Sequence, residues 1–141
     1  LLLFFFPVYG AWADAFKEYI TLVNNVTISA IQYNDLYYQG IECDLSLLEG
    51  KTIKQCHNFL ENFQYYSAAA EIHTEIYEKN FSGNSLRRSE LLKITQNDEN
   101  KKATVRKLTQ TMIKEATKAK DNVLPAFKLY EKLSKKIPNN Q

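Results

Sequence analysis

Long stretches of this chain run without glycine or proline, and within them apolar or small side chains recur at intervals of three and four residues. The 141 residues include four Gly and three Pro. Intervals of three and four gather side chains on one stripe of an α-helix, whereas a half-buried strand needs alternation at every second residue, a pattern the sequence lacks. Residues 14–39 carry such a stripe at Phe16, Ile20, Val23, Thr27, Ala30, Tyr33 and Tyr37. Asp14 is placed to cap this helix and Gly40 to stop it.

A second helix is predicted from about Thr52 to Lys79, with one seam at Cys56, Phe59, Leu60, Phe63, Tyr66, Ala70, His73 and Tyr77. A second seam beside it, at Tyr65, Ala69, Ile72 and Ile76, predicts two neighbours and a central position. Asn80-Phe81-Ser82-Gly83-Asn84-Ser85 reads as the loop that ends it. Residues 86–97 suggest a short helix capped by Ser89. From Asp98 to Lys136 one stripe continues through Val105, Leu108, Met112, Ala116, Ala119, Val123, Phe127, Tyr130, Leu133 and Ile137. It keeps phase across Pro125, which falls on the opposite face, so a bend there is favoured over a break capped by Asp121-Asn122. The expected fold class is all-α: an antiparallel bundle of three long helices, with a short fourth element or a break at Pro125 that makes it four.

The start of the chain has a different character. Leu1-Leu2-Leu3-Phe4-Phe5-Phe6-Pro7-Val8-Tyr9-Gly10 is an uncharged apolar run, followed by the small-x-small triplet Ala11-Trp12-Ala13. This matches the remnant of a secretory signal peptide, residues 1–13, cleaved after Ala13 and leaving one helical domain over residues 14–141. The run is too short to span a bilayer, which takes roughly 20 apolar residues. Secretion into the extracellular space is the expected localisation.

The cysteines agree with an oxidising compartment. Cys43 and Cys56 are the only pair, 13 residues apart. On one continuous helix that separation is about 20 Å, beyond the roughly 7 Å Cα limit for a disulfide, so a bridge requires a turn between them. Glu49-Gly50 supplies it. Two N-glycosylation sequons point the same way, Asn25-Val26-Thr27 and Asn80-Phe81-Ser82. Asn25 lies opposite the expected apolar stripe of the first helix, and Asn80 falls in the expected loop.

Charge is unevenly distributed. Residues 14–80 hold ten acids and four bases, while residues 101–136 hold eleven bases and three acids. The basic segment offers a possible binding face at Lys107, Lys114, Lys118, Lys128 and Lys132, although such charges more commonly form a solvated helix face. Nucleic acid is not an expected partner, because no aromatic residues interleave with the bases in a stacking pattern and export removes the occasion. The doublets Tyr37-Tyr38 and Tyr65-Tyr66 can each send one ring into a seam and leave the other to line a ligand cavity or a partner patch.

No catalytic or cofactor signature is present. His57 and His73 are the only histidines, too few to found a zinc site without several carboxylates. There is no G-x-S-x-G and no Gly-rich phosphate loop. No enzyme activity, metal or cofactor is expected. The leading expectation is a secreted protein that binds a protein or polyanion through an exposed helix face. The alternative is an extracellular carrier with a lipid or small hydrophobic molecule held between its helices.

Overall fold

The computed structural model describes residues 14–138, so the expected signal segment, residues 1–13, lies outside the described residues. Within them the chain is all-helical, with no strand: α1 Ala15–Leu48, α2 Lys54–Phe81, α3 Leu86–Gln96 and α4 Glu99–Lys136. None of these helices is long and apolar enough to cross a membrane. The fourth helix is the short one expected over residues 86–97, and α4 runs unbroken through Pro125, as the continuous stripe favoured.

Local chemistry sets most of the helix ends. The Asp14 carboxylate accepts the Lys17 backbone N–H at 2.8 Å, and the Asp98 carboxylate accepts that of Lys101 at 3.1 Å, so each satisfies a donor the helix start leaves open. Ser85, rather than Ser89, caps α3: its Oγ accepts the Arg88 N–H at 3.3 Å and its hydroxyl donates to the Asn80 carbonyl at 2.6 Å. α1 does not stop at Gly40. It continues to Leu48, where Gly50 takes φ 78° while its N–H reaches the Leu47 carbonyl and the Lys51 N–H reaches that of Ser46. That is the Schellman closure, which needs a left-handed residue that only glycine adopts without strain. Gly40 serves another purpose inside the helix. A Cβ there would lie 2.7 Å from the Phe59 ring and 2.9 Å from the Leu129 side chain, so the missing side chain allows close packing.

Helix faces also differ from expectation. On α1 the buried line is Ala15, Tyr19, Leu22, Ala30, Tyr33, Leu36 and Cys43, while Ile20, Thr27 and Tyr37 sit on its flank. On α4, Val123 and Phe127 are about half exposed and Ala126 is buried. Asn122 takes the inward position next to it, where its amide donates to Asn34 at 2.8 Å. The second seam of α2 is incompletely covered, with Tyr65 and Ile72 exposed. Phe81, expected in a loop, closes α2 and is fully buried, a contribution of about 2 kcal/mol by area burial.

The described residues form two compact units. The first comprises residues 14–28 and 70–114, the second residues 29–69 and 115–138. In the second unit, three helices surround a core of Tyr33, Leu36, Phe59, Phe63, Ala126 and Leu133. Within that core, the Phe63 and Tyr130 rings stack at 4.5 Å. α1 and α4 run in the same direction here, as shown by Asn34 beside Asn122 and Asp44 beside Lys132. The Cys43–Cys56 disulfide ties α1 to α2 across the Glu49-Gly50 turn, with its Cα atoms 4.9 Å apart. The expected bridge is therefore present, between two helices rather than between a loop and a helix.

In the first unit, all four helices meet around Ala15, Tyr19, Leu22, Val23, Phe81 and Leu91. Phe81 packs edge-on against Tyr19 at 5.2 Å. The buried carboxylate of Glu18 sits beside this core, held by the Arg87 guanidinium, whose Nε donates at 2.9 Å.

Candidate functional site

The first unit contains a cleft of about 440 Å³. Its two walls are helix faces. Arg88, Leu91, Leu92 and Thr95 are at i, i+3, i+4 and i+7 on α3, and Lys102, Val105, Arg106, Thr109 and Gln110 follow the same rhythm on α4. The floor is made by Tyr19 from α1 with Tyr77 and Phe81 from α2. The Ser85 cap starts α3 and the Asp98 cap starts α4, so two local polar contacts orient both walls.

The floor is aromatic, and one of its hydroxyls pairs with the α4 wall. The Tyr19 and Thr109 hydroxyls lie 2.9 Å apart, and either one can donate. Burial pushes the Tyr19 phenol above its usual range; the Thr109 hydrogen bond opposes this, Tyr77 adds to it and Arg88 opposes it. Tyr19 therefore stays a neutral phenol at ordinary pH. Thr95 is also satisfied locally, donating to the Leu91 carbonyl at 3.0 Å.

The charged groups of the cleft are all cations: Arg88, Lys102 and Arg106. Lys102 reaches Glu99 at 3.2 Å. The nearby acids Glu18 and Glu90 are taken by Arg87, the residue that turns inward next to Arg88. Such an arrangement offers a ligand apolar contact and electrostatic attraction, and nothing in it performs covalent chemistry. It contains no nucleophile paired with a base, and among the described residues no three His, Cys, Asp or Glu side chains are grouped to hold a metal ion.

Two further cavities belong to the second unit. One, of about 490 Å³, mixes Ile31 and Tyr38 with Glu115, Lys118, Asp121 and the hydrogen-bonded Asn34–Asn122 pair. The other, about 220 Å³, is lined chiefly by amides together with Asp35, Leu36 and Tyr66. Neither joins an apolar floor to charge of one sign.

The residues singled out from sequence are dispersed relative to this cleft. Lys107, Lys114, Lys118, Lys128 and Lys132 are all exposed on α4, and none lines it. Lys118 is 3.6 Å from Glu115 and Lys132 is 2.9 Å from Asp44, so two of the five are ion-paired. Tyr37 and Tyr66 pack against the second unit's core, while Tyr38 and Tyr65 are exposed. The tyrosines of the cleft are Tyr19 and Tyr77 instead. Neither sequon asparagine faces freely outward. Asn25 is half-buried within α1, because the buried line runs through Leu22 and Ser29, three and four residues away. Asn80 lies inside α2, and its Nδ2 is 3.5 Å from Glu18. His57 is exposed and His73 is buried, with burial holding its imidazole below the usual range.

Sequence reading missed α3 as a wall. The signal was present in Arg88, Leu91, Leu92 and Thr95 at helical spacing, but Leu86 and Ile94 obscured the phase. Comparison with family models, with curated proteins and with solved structures gave no match to this chain.

Proposed function

We propose that this is a secreted, non-enzymatic binding protein that holds a small hydrophobic ligand in the cleft of its first unit. The observation that carries this reading is the apolar floor of Tyr19, Tyr77 and Phe81 beneath two helix walls, in a volume of about 440 Å³. Ligand sites typically have this character: a concave, largely apolar surface with a few placed polar groups. Leu92, 56% exposed although it faces the cleft, is the kind of surface a ligand covers. The disulfide supports an oxidising, extracellular setting.

The test is native mass spectrometry of the full chain produced through a secretory pathway, before and after organic extraction. The expected result is an extractable small-molecule mass, or uptake of a supplied single-chain monoacylglycerol by the extracted protein, with loss of binding in Val105→Glu. A protein that carries nothing and takes up nothing overturns the reading. A second reading, capture of a protein or polyanion on an exposed helix face, is favoured by the exposure of Lys107, Lys114 and Lys128 without salt bridges among the described residues. It predicts salt-sensitive retention on a sulfated polysaccharide, abolished by neutralising those lysines.

A further inference from the structure

We infer that the ligand of this cleft is a single-chain fatty acid anion, its alkyl chain on the aromatic floor and its carboxylate between Arg88 and Arg106. The inference rests on the proposed ligand cleft and adds the chemistry of the headgroup.

Three observations support it. First, Arg88 and Arg106 stand on opposite walls, one on α3 and one on α4, and the lining includes no carboxylate. A neutral ligand gives no reason for such one-sided charge, whereas a guanidinium matches a carboxylate with two parallel hydrogen bonds. Second, the local acids are already committed. Glu18 and Glu90 pair with Arg87, and Glu99 pairs with Lys102. Arg88 and Arg106 thus make no salt bridge among the described residues, which leaves one guanidinium on each wall for the two oxygens of a carboxylate head. Third, the volume of about 440 Å³ lies near the lower end of the range for ligand sites, which favours one chain over the several of a membrane phospholipid.

Arg88 and Arg106 are exposed, so their selectivity is moderate and salt-dependent. The experiment is isothermal titration calorimetry of the full chain with dodecanoate and with monododecanoylglycerol, both below their aggregation range, at low and high salt. Wild type is compared with Arg88→Ala/Arg106→Ala and with Lys93→Ala/Lys120→Ala, a control pair on the same two helices but outside the cleft. Circular dichroism checks that each variant folds.

Dodecanoate is expected to bind about tenfold more tightly than the neutral lipid, a preference that salt reduces. The preference falls below about threefold in the arginine pair and persists in the lysine pair. Equal binding of the two lipids overturns the inference and leaves the ligand cleft standing. Equal loss in both variant pairs overturns it too, since net charge rather than the cleft then reads the head. Binding of neither lipid removes the cleft reading itself. Retention on phosphatidylserine vesicles without uptake of monomeric dodecanoate overturns the inference in favour of a membrane surface.

Discussion

Glu18 and Arg87, 69 residues apart in sequence, form an ion pair in which the carboxylate is 2% exposed and the guanidinium 22%. Arg87 also reaches Glu90 at 3.0 Å, so one cation links the first turn of α1 to α3. The Glu18 hydrogen bond is the chief cause that keeps Arg87 above its already high ordinary pKa. Arg87→Ala should destabilise the protein by about 3 kcal/mol, because it removes the cationic partner of a buried carboxylate. Adding Glu18→Gln to that variant should recover part of the loss, since no buried charge then remains. Urea denaturation of both variants is the check; a double variant less stable than Arg87→Ala would contradict it.

Gly40→Ala gives a second outcome. On propensity alone an alanine inside a helix gains up to about 1 kcal/mol over glycine. Here its Cβ would meet Phe59 at 2.7 Å and Leu129 at 2.9 Å, and Phe59 lies in a fully buried position with little room to yield. Overpacking of this kind costs about 1–3 kcal/mol, so the net effect should be destabilising. A thermal scan showing a raised Tm would refute the close-packing account.

Pro125→Ala should act in the opposite direction. Pro125 is exposed within α4 and provides no N–H for the Asp121 carbonyl four residues earlier. Alanine restores that donor and removes a residue costing about 3 kcal/mol in a helix interior, less up to about 1 kcal/mol for the added freedom of the unfolded chain. The expected gain is about 2 kcal/mol in chemical denaturation, with the helical circular dichroism signal retained.

His73 predicts a pH dependence. Its imidazole is buried, and that burial lowers its native pKa below the ordinary 6.5. As pH falls through 6.5, the unfolded chain takes up a proton that the native protein does not, so stability declines with falling pH until the lowered native pKa is reached. Above 6.5 this contribution is fully present. His73→Gln should flatten the fall in Tm between neutral and mildly acidic pH, and an unchanged slope would place its origin elsewhere.

The sequence alone determined what depends on neighbours along the chain. Helical spacing, the Asp14 and Asp98 starts and the need for a turn between Cys43 and Cys56 are all set within a few residues, by hydrogen-bond geometry and the rise of the helix. Tertiary structure decided which of two adjacent stripes is buried. Ile20 and Leu22 are equally apolar in the sequence, and only the positions of α2 and α4 select Leu22. The same holds for Gly40, read locally as a helix stop although its role is to admit Phe59 and Leu129. It holds for the cleft as well: Arg88 and Arg106 lie on separate helices, and no local pattern records that α3 and α4 bring them to opposite sides of one apolar floor. Burial and convergence are properties of packed surfaces, and packing is settled only when the whole set of helices is in place.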